Sequence, residues 1–427
     1  MINNIRRARG IKGMVTIPGD KSISHRGLLL GAIAEGTTAI HNLSSSVDVG
    51  STLSCLQQLG VTIIKKNDSL EVIGKGLHGL KMPASPLDCG NSGTTMRLIS
   101  GILAAQPFTT TLIGDKSLSQ RPMNRIIEPM IQMGANIESQ PGGFAPLMIY
   151  GNELNAIQYE SPVASAQVKS AILLAGLYAR GTTAVTEPHL SRDHTERMLA
   201  DFGVTVKRDG LSVSVDGDKV LQSTEVWVPG DFSSSAFFIG AALAVPHSEL
   251  TIKNVGLNPT RTGLLDVLKQ MGAKSEIQLY KRKSSEPNGD ISVFTSKLTG
   301  VEIPTDIIPK LIDEIPILAV IATQAEGVTK LSGAKELRVK ESDRLRAIVN
   351  NLLLMGIQIQ ENEDGFIIEG RQKLKGAVVD SYGDHRIAMA FAVAGLIAEG
   401  ETQIKNCECV EISMPNFFET LQGITVE

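Results

Sequence analysis

The stretch A-E-G-T-T-A-I-H-N (34–42) decides the fold, because the chain says the same thing five more times. The further copies are A-Q-P-F-T-T-T-L-I from Ala105, A-R-G-T-T-A-V-T-E from Ala179, A-V-P-H-S-E-L-T-I-K-N from Ala244, A-E-G-V-T-K-L-S-G from Ala325 and A-E-G-E-T-Q-I-K-N from Ala398. Each closes a run of small and apolar residues and opens an alternating one, which is how a helix followed by a strand reads. Successive copies lie about 70 residues apart, so the chain is an internal repeat before it is anything else.

Each copy has a second half. A helix-stopping glycine follows 24 to 31 residues past each Ala, at Gly60, Gly134, Gly203, Gly272, Gly356 and Gly423. After the first five, alternating runs such as V-T-I-I (61–64) with L-E-V-I (70–73), or I-Q-I (357–359) with F-I-I (366–368), predict paired strands. The repeat is therefore helix, strand, helix, strand, strand. The sixth copy runs out at Glu427 before its last strands, while Met14-Val15-Thr16-Ile17 is an unassigned strand. This N-terminal run is expected to complete the C-terminal repeat, which puts both termini in one domain. The echo of V-T-I-P-G-D-K-S (15–22) in V-W-V-P-G-D-F-S (226–233) places the two interdomain crossings at Pro-Gly-Asp corners. One domain is expected over 20–230 and the other over 1–19 with 231–427.

With 427 residues, 42% hydrophobic and 20% charged, the composition is that of an ordinary globular protein of two or three domains. A net charge of −4 gives no basic field for nucleic acid. The longest apolar run, around Ala236–Val245, is too short for a bilayer, and Arg6, Arg7 and Arg9 are not followed by an apolar signal core, so a cytoplasmic address is expected. Cys55, Cys89, Cys407 and Cys409 include one C-x-C with no second pair, so they read as reduced core or strand thiols rather than zinc ligands.

Helix starts carry unpaired N–H groups and a positive dipole end, which favours anions there. Several helix starts here also carry cations: Lys21 and Arg26, Arg97, Arg121, Lys169, Arg344 and Arg386. Any one of these alone reads as a solvated helix-end charge. Their recurrence at equivalent points of a repeat points instead to a cleft for small phosphates and carboxylates. Asp313 and Glu314 interrupt the apolar stretch Ile307–Ile321, a costly placement unless they face a cation or cap a helix. Glu341 stands between Lys340 and Arg344, and His385 follows Asp384 at a helix start. Salt bridges are the plain reading of these acids; a carboxylate in a basic cleft is also placed for proton transfer. Gly74-Lys75-Gly76-Leu77-His78-Gly79 matches a dinucleotide fingerprint, but Lys81-Met82-Pro83 follows, so a turn is expected there. The charge-rich 336–346 segment lacks aromatic interleaving and reads as a helix start rather than a nucleic-acid face.

The segments G-D-K-S-I-S-H-R (19–26), G-N-S-G-T-T-M-R (90–97), S-Q-R-P-M (119–123), S-A-Q-V-K-S-A (165–171), L-I-D-E-I-P (311–316), V-K-E-S-D-R-L (339–345) and G-D-H-R-I-A-M (383–389) resemble, in order and over the whole chain, the 5-enolpyruvylshikimate-3-phosphate synthases. The resemblance implies an α/β fold of two inside-out α/β barrels, each of three βαβαββ units, with the active site in the interdomain cleft. It implies transfer of the enolpyruvyl group of phosphoenolpyruvate to the 5-hydroxyl of shikimate-3-phosphate, with release of phosphate, by a monomer using no metal or organic cofactor. By similarity, Lys21, Asp313 and Glu341 are the catalytic residues. Lys21, Ser22, Arg26, Ser165, Ala166, Gln167, Asp313 and Lys340 match positions that hold shikimate-3-phosphate. Lys21, Gly93, Arg121, Gln167, Glu341, Arg344, His385 and Arg386 match positions around phosphoenolpyruvate, with Asn91 and Thr94 lining the same loop.

The chain departs from the family in places. Ile412 stands where many members have a Lys, H-L-S-R-D-H-T-E (189–196) replaces a Ser and a Tyr with Arg192 as the substitute phosphate ligand, and Glu336 replaces a common Asn. Together with N-P-T-R (258–261) and the S-A-Q-x-K form, these resemble a second subgroup whose members vary in tolerance of the herbicide glyphosate. The nearest rival is the sister transferase acting on UDP-N-acetylglucosamine, whose loop carries a Cys just before its Arg-Pro pair; here Lys116-Ser117-Leu118-Ser119-Gln120 carries none. A non-catalytic anion-binding protein on the same scaffold would be expected to have lost Asp313 and Glu341.

Overall fold

The computed structural model describes residues 1–281 and 285–426. The chain divides into a central domain, Gly19–Val228 joined by Ser285 and Glu286, and a terminal domain made of Met1–Pro18, the chain from Pro229, and Pro287 onward. Each has its own hydrophobic core.

After β1 (Ile2–Arg6) and β2 (Gly10–Thr16), the first repeat runs α1 (Lys21–Ile33), β3 (Glu35–His41), α2 (Val47–Gln58), β4 (Thr62–Lys65) and β5 (Ser69–Lys75). The second runs β6 (Leu87–Asp88), α3 (Gly93–Leu103), β7 (Thr109–Ile113), α4 (Asn124–Gln132), β8 (Asn136–Gln140) and β9 (Phe144–Tyr150). The third runs β10 (Gln158–Glu160), α5 (Ala166–Gly176), β11 (Thr182–Thr186), α6 (His194–Asp201), β12 (Val206–Asp209) and β13 (Ser212–Asp216). Finally β14 (Glu225–Trp227) lies parallel to β3 and supplies the leading strand that the first repeat lacks. Three sheets of one pattern result: β14-β3-β5-β4, β6-β7-β9-β8 and β10-β11-β13-β12.

The leading helices are inside and the sheets outside. From Ile23 to Ile33 every residue of α1 is buried, and α3 packs against both α1 and α5. A helix without a polar face has to be enclosed by other elements. Close approach requires glycine: a Cβ on Gly31 would lie 3.2 Å from Thr38 Cβ, and one on Gly176 would lie 2.9 Å from Thr183 Cβ. The second helices end as the sequence implies, with Gly60, Gly134 and Gly203 at φ +81°, +96° and +81°.

The terminal domain continues with α7 (Phe232–Ala244), β15 (Glu249–Gly256), α8 (Gly263–Gln270), β16 (Lys274–Leu279) and β17 (Asn288–Phe294). The fifth repeat follows with α9 (Ile308–Leu311), α10 (Ile315–Ala322), β18 (Gly327–Leu331), α11 (Arg344–Leu354), β19 (Ile359–Asn362) and β20 (Gly365–Gly370). The sixth has β21 (Val378–Asp380), α12 (His385–Ile397), β22 (Glu401–Lys405), α13 (Phe417–Gly423) and β23 (Thr425–Val426). Here α7, α10 and α12 form the enclosed helical centre.

Several expectations are corrected. The strand containing Met14–Thr16 does not complete the sixth repeat: β2 lies parallel to β15 and leads the fourth. The sixth is completed by β1, antiparallel to β22, as β5 is to β3. Its sequence, I-N-N-I-R, has apolar residues only at Ile2 and Ile5, too weak a pattern to announce a strand. In the fifth repeat the leading strand shrinks to isolated bridges, Thr299 to Glu326 and Glu302 to Lys330. Another concerns I-Q-I: β19 begins at Ile359, and Ile357 is a core residue instead. Gly423 lies within α13 rather than beyond it.

Candidate active site

The sequence-selected residues form one cluster in each domain. In the central domain they stand on three capped helix starts. Asp20 accepts from Ile23 N (2.9 Å), Ser92 from Thr95 N (3.1 Å) and Ser165 from Val168 N (3.5 Å). The caps put Lys21 and Ser22, Gly93 and Thr94, and Ala166 and Gln167 in the first turns of α1, α3 and α5. Side chains then tie these starts together. Gln167 Nε2 donates to Thr94 Oγ1 and its Oε1 accepts from Arg97 Nη1, both at 2.9 Å. Arg121 Nη2 donates to Asn91 Oδ1 (2.8 Å), and Asn91 Nδ2 donates to Asp115 Oδ2 (2.7 Å). Lys21 Nζ donates to Asp48 Oδ2 (2.9 Å), on the first turn of α2. Behind them His25 Nδ1, Thr52 Oγ1 and Thr95 Oγ1 form a buried chain with both steps at 2.7 Å.

Two of the basic residues face inward. Arg26 is buried, and its guanidinium donates to Thr195 Oγ1 (2.7 Å), Ser170 Oγ (2.7 Å) and Ser22 O (3.0 Å). Burial pulls its pKa down to about 10, with Glu196 and Asp20 opposing. It braces the backbone of Ser22. Lys169, read above as one more helix-start cation, is a core residue clamped by Glu187 (2.8 Å) and Glu196 (2.9 Å). Arg192 sits partly exposed in the loop before α6.

In the terminal domain the cluster centres on Arg344, whose side chain is 1% exposed at the start of α11. Its Nε donates to Asp384 Oδ2 (2.7 Å), its Nη1 to Asp313 Oδ1 (3.2 Å) and its Nη2 to Glu341. Burial opposes the charge of Arg344, but Asp384, Glu341 and Asp313 outweigh it and raise the pKa above its ordinary value. Asp384 also caps α12 through Arg386 N (2.9 Å), which places His385 and Arg386 in the first turn. Arg386 Nη2 lies 3.4 Å from Asp313 Oδ2. Asp313 and Glu341 stay 13% and 23% exposed, so two accessible carboxylates are held by one buried cation. Lys340 Nζ pairs with Glu336 Oε1 at 3.0 Å. Ile412 packs against the core.

Several partners escaped the sequence reading. Asp48 belongs to no motif and is brought to Lys21 only by the packing of α2 on α1. Asp384 stands in the sequence only as the neighbour of His385 at a helix start, and its bond to Arg344 joins residues 40 apart. Arg261, in N-P-T-R, lies 4.0 Å from Asp313 and 3.6 Å from Glu314. Among the described residues no group of His, Cys, Asp and Glu is arranged to hold a metal ion, and no helix is long and apolar enough to cross a membrane. All four cysteines are free and buried.

Two three-repeat α/β domains whose helix starts carry fixed cations, with paired carboxylates in one of them, suit small anionic substrates and proton transfer beside them. A family model described as "EPSP synthase (3-phosphoshikimate 1-carboxyvinyltransferase)" matches residues 5–421. A 3-phosphoshikimate 1-carboxyvinyltransferase of Bacillus thuringiensis (strain Al Hakam) is 55% identical over 417 residues, 97% of either chain, and one from Bacillus anthracis is 55% identical over 416. The solved EPSP synthase of Acinetobacter baumannii superimposes with a TM-score of 0.90 at 46% identity, covering 100% of this chain and 98% of that one. The chain belongs to the EPSP synthase family. That membership favours the carboxyvinyl transfer to 3-phosphoshikimate over the UDP-N-acetylglucosamine reading.

Proposed function

We infer that this chain joins C2 of phosphoenolpyruvate to the 5-hydroxyl oxygen of shikimate-3-phosphate and releases phosphate, and that the two clusters divide the work. The observation that carries this reading is the pair Asp313 and Glu341, both accessible and both bonded to the buried Arg344 guanidinium. Addition requires the hydroxyl proton to leave as the O–C2 bond forms and C3 to gain a proton. Elimination then removes a C3 proton while the C2–O bond to phosphate breaks. One carboxylate at the hydroxyl and one at C3 meet these demands, and we assign Asp313 to the hydroxyl and Glu341 to C3.

The anionic groups need fixed positive charge. Arg344, Arg386 and Arg121, with His385, Gln167, Asn91, Gly93 and Thr94, are assigned to phosphoenolpyruvate. Lys21, Ser22, Ser165, Ala166, Gln167, Arg192 and Lys340 are assigned to shikimate-3-phosphate, with Arg26 acting from behind Ser22. Lys21, oriented by Asp48, is assigned to both substrates and to a proton on the attacking or leaving oxygen. A phosphate-release assay tests the reading: release should require phosphoenolpyruvate and shikimate-3-phosphate together. Release with UDP-N-acetylglucosamine in place of shikimate-3-phosphate, or none with either acceptor, would refute it.

A further inference from the structure

Three residues of the N-P-T-R run (258–261) are buried although it lies in a loop: Asn258, Thr260 and Arg261 are 2%, 3% and 2% exposed, while Pro259 faces solvent. Local bonds account for the turn. Asn258 Oδ1 accepts from the backbone N (2.9 Å) and Oγ1 (2.8 Å) of Thr260, and Arg261 N donates to Asn258 O at 2.8 Å. A preorganised loop thus delivers one guanidinium to the interior. There its Nη2 donates to Ser233 Oγ (2.7 Å) and lies 3.8 Å from Asp231 Oδ1, while its Nη1 lies 3.6 Å from Glu314 Oε1 and 4.0 Å from Asp313 Oδ2. Ser233 in turn donates to Glu314. Glu314 is fully buried and stands at the N-cap position of α10, and Asp313 precedes it in the chain.

Two adjacent carboxylates so placed compete for the same cations. Arg344 and Arg386 already hold Asp313, at 3.2 and 3.4 Å. A buried carboxylate left without its cation would draw on the nearest others, because an unpaired charge is costly in the interior. In the structure Arg261 stands nearer to Glu314 (3.6 Å) than to Asp313 (4.0 Å), and Asp313 is held chiefly by Arg344 and Arg386.

We propose that Arg261 is a positioning residue for the transfer: its fork across Ser233 and Glu314 fixes the head of α10 and so sets where the Asp313 carboxylate stands. The proposal rests on the assignment of Asp313 to the acceptor hydroxyl. Misplacement of such a group by about 1 Å costs on the order of a hundredfold in rate, and the ground-state contacts of the substrates need not change. The expected signature is therefore in kcat rather than KM.

Steady-state kinetics on the full chain test this with Asp313→Asn, Arg261→Lys, Arg261→Met, Glu314→Gln and the Arg261→Met/Glu314→Gln double variant. Arg261→Met and Glu314→Gln should each lower kcat by roughly tenfold to a hundredfold, with KM for both substrates within about threefold of wild type. Because they act through one another, the double variant should be no slower than the slower single variant, whereas multiplying losses would overturn the proposal. Arg261→Lys keeps the charge, and with it the fold, but loses the fork; it should lower kcat by about tenfold. Should Arg261→Met not fold, the Lys variant decides. Wild-type kcat in Arg261→Lys, or a raised KM at unchanged kcat, would overturn the proposal. If Asp313→Asn removes turnover while the Arg261 variants keep it, the role of Asp313 stands and that of Arg261 falls. If Asp313→Asn keeps turnover, the underlying assignment falls, and the proposal with it.

Discussion

Lys21 Nζ donates to Asp48 Oδ2 at 2.9 Å, joining the first residue of α1 to the first turn of α2. The bond means that removing Lys21 has two separable effects. Lys21→Met should abolish turnover and weaken both substrates roughly tenfold to 150-fold, about 1.5–3 kcal/mol for a charge-assisted contact. It should also destabilise the fold by leaving Asp48 without this cation. Adding Asp48→Asn should restore the thermal midpoint but not turnover. A single variant with near-native kcat and KM would remove Lys21 from the site.

Gly93 opens α3, and a Cβ built there would lie 2.7 Å from Arg97 Nη1 and 3.7 Å from Arg121 Nη1. The first group a methyl would displace is thus the Arg97 guanidinium, which holds Gln167 at 2.9 Å. A flexible arginine head can yield to phosphoenolpyruvate, but glyphosate is longer and bears both a phosphonate and a carboxylate. Gly93→Ala should therefore raise the inhibition constant of glyphosate by about tenfold more, ~1.4 kcal/mol, than it raises the KM for phosphoenolpyruvate. Steady-state inhibition of both forms measures the ratio; an unchanged ratio would contradict this steric account.

Lys169 is a different kind of helix-start cation, 1% exposed between Glu187 and Glu196. Lys169→Met would take the cation from buried Glu187 and leave Glu196 with Arg208 at 3.2 Å, and breaking a buried pair costs about 3–5 kcal/mol. Glu187 Oε1 also accepts from Ser165 N at 3.0 Å, so the start of α5 should loosen as well. The urea midpoint should fall accordingly, and Glu187→Gln in the same background should recover part of the loss. A loss of unfolding free energy below about 1 kcal/mol, taken from the midpoint and its slope, would contradict this reading.

How much of this was legible depended on periodicity. The six helix–strand passages and the helix-ending glycines are local features that recur, and each fell where the sequence put it up to Gly423. Strand β1 was invisible because I-N-N-I-R offers two apolar residues and gains its place only by pairing with β22, some 400 residues away. Helix-start cations were equally legible, but their direction was not: Lys21 and Lys169 read alike in sequence, and only packing makes one a 17% exposed cation and the other a core residue. Asp48 and Arg261 share that limit. Each meets its partner through a contact between elements, for which no spacing rule exists.

His25 adds a pH dependence. Burial, helped by Lys21 and Arg26 and opposed by Asp48, lowers its pKa from 6.5 to about 3. Between those values the unfolded chain binds a proton that the folded chain refuses, so stability is complete above pH 6.5 and declines as the pH falls toward 3. One such group contributes a slope of up to about 1.4 kcal/mol per pH unit. His25→Gln, which keeps a polar atom for Thr52 and does not titrate, should flatten the acid limb of the stability curve by that amount. Equal slopes for the two proteins would contradict the role given to His25.

The division of proton transfer between Asp313 and Glu341 is tested most directly by deuterium incorporation at C3. With phosphoenolpyruvate and shikimate-3-phosphate in D2O, the wild-type chain should place deuterium on C3 of the carboxyvinyl group, followed by NMR. Glu341→Gln should slow that incorporation by roughly 10²- to 10⁴-fold, the range for loss of a general acid–base group, while still binding both substrates. Incorporation by Glu341→Gln at the wild-type rate would contradict the assignment of Glu341 to C3.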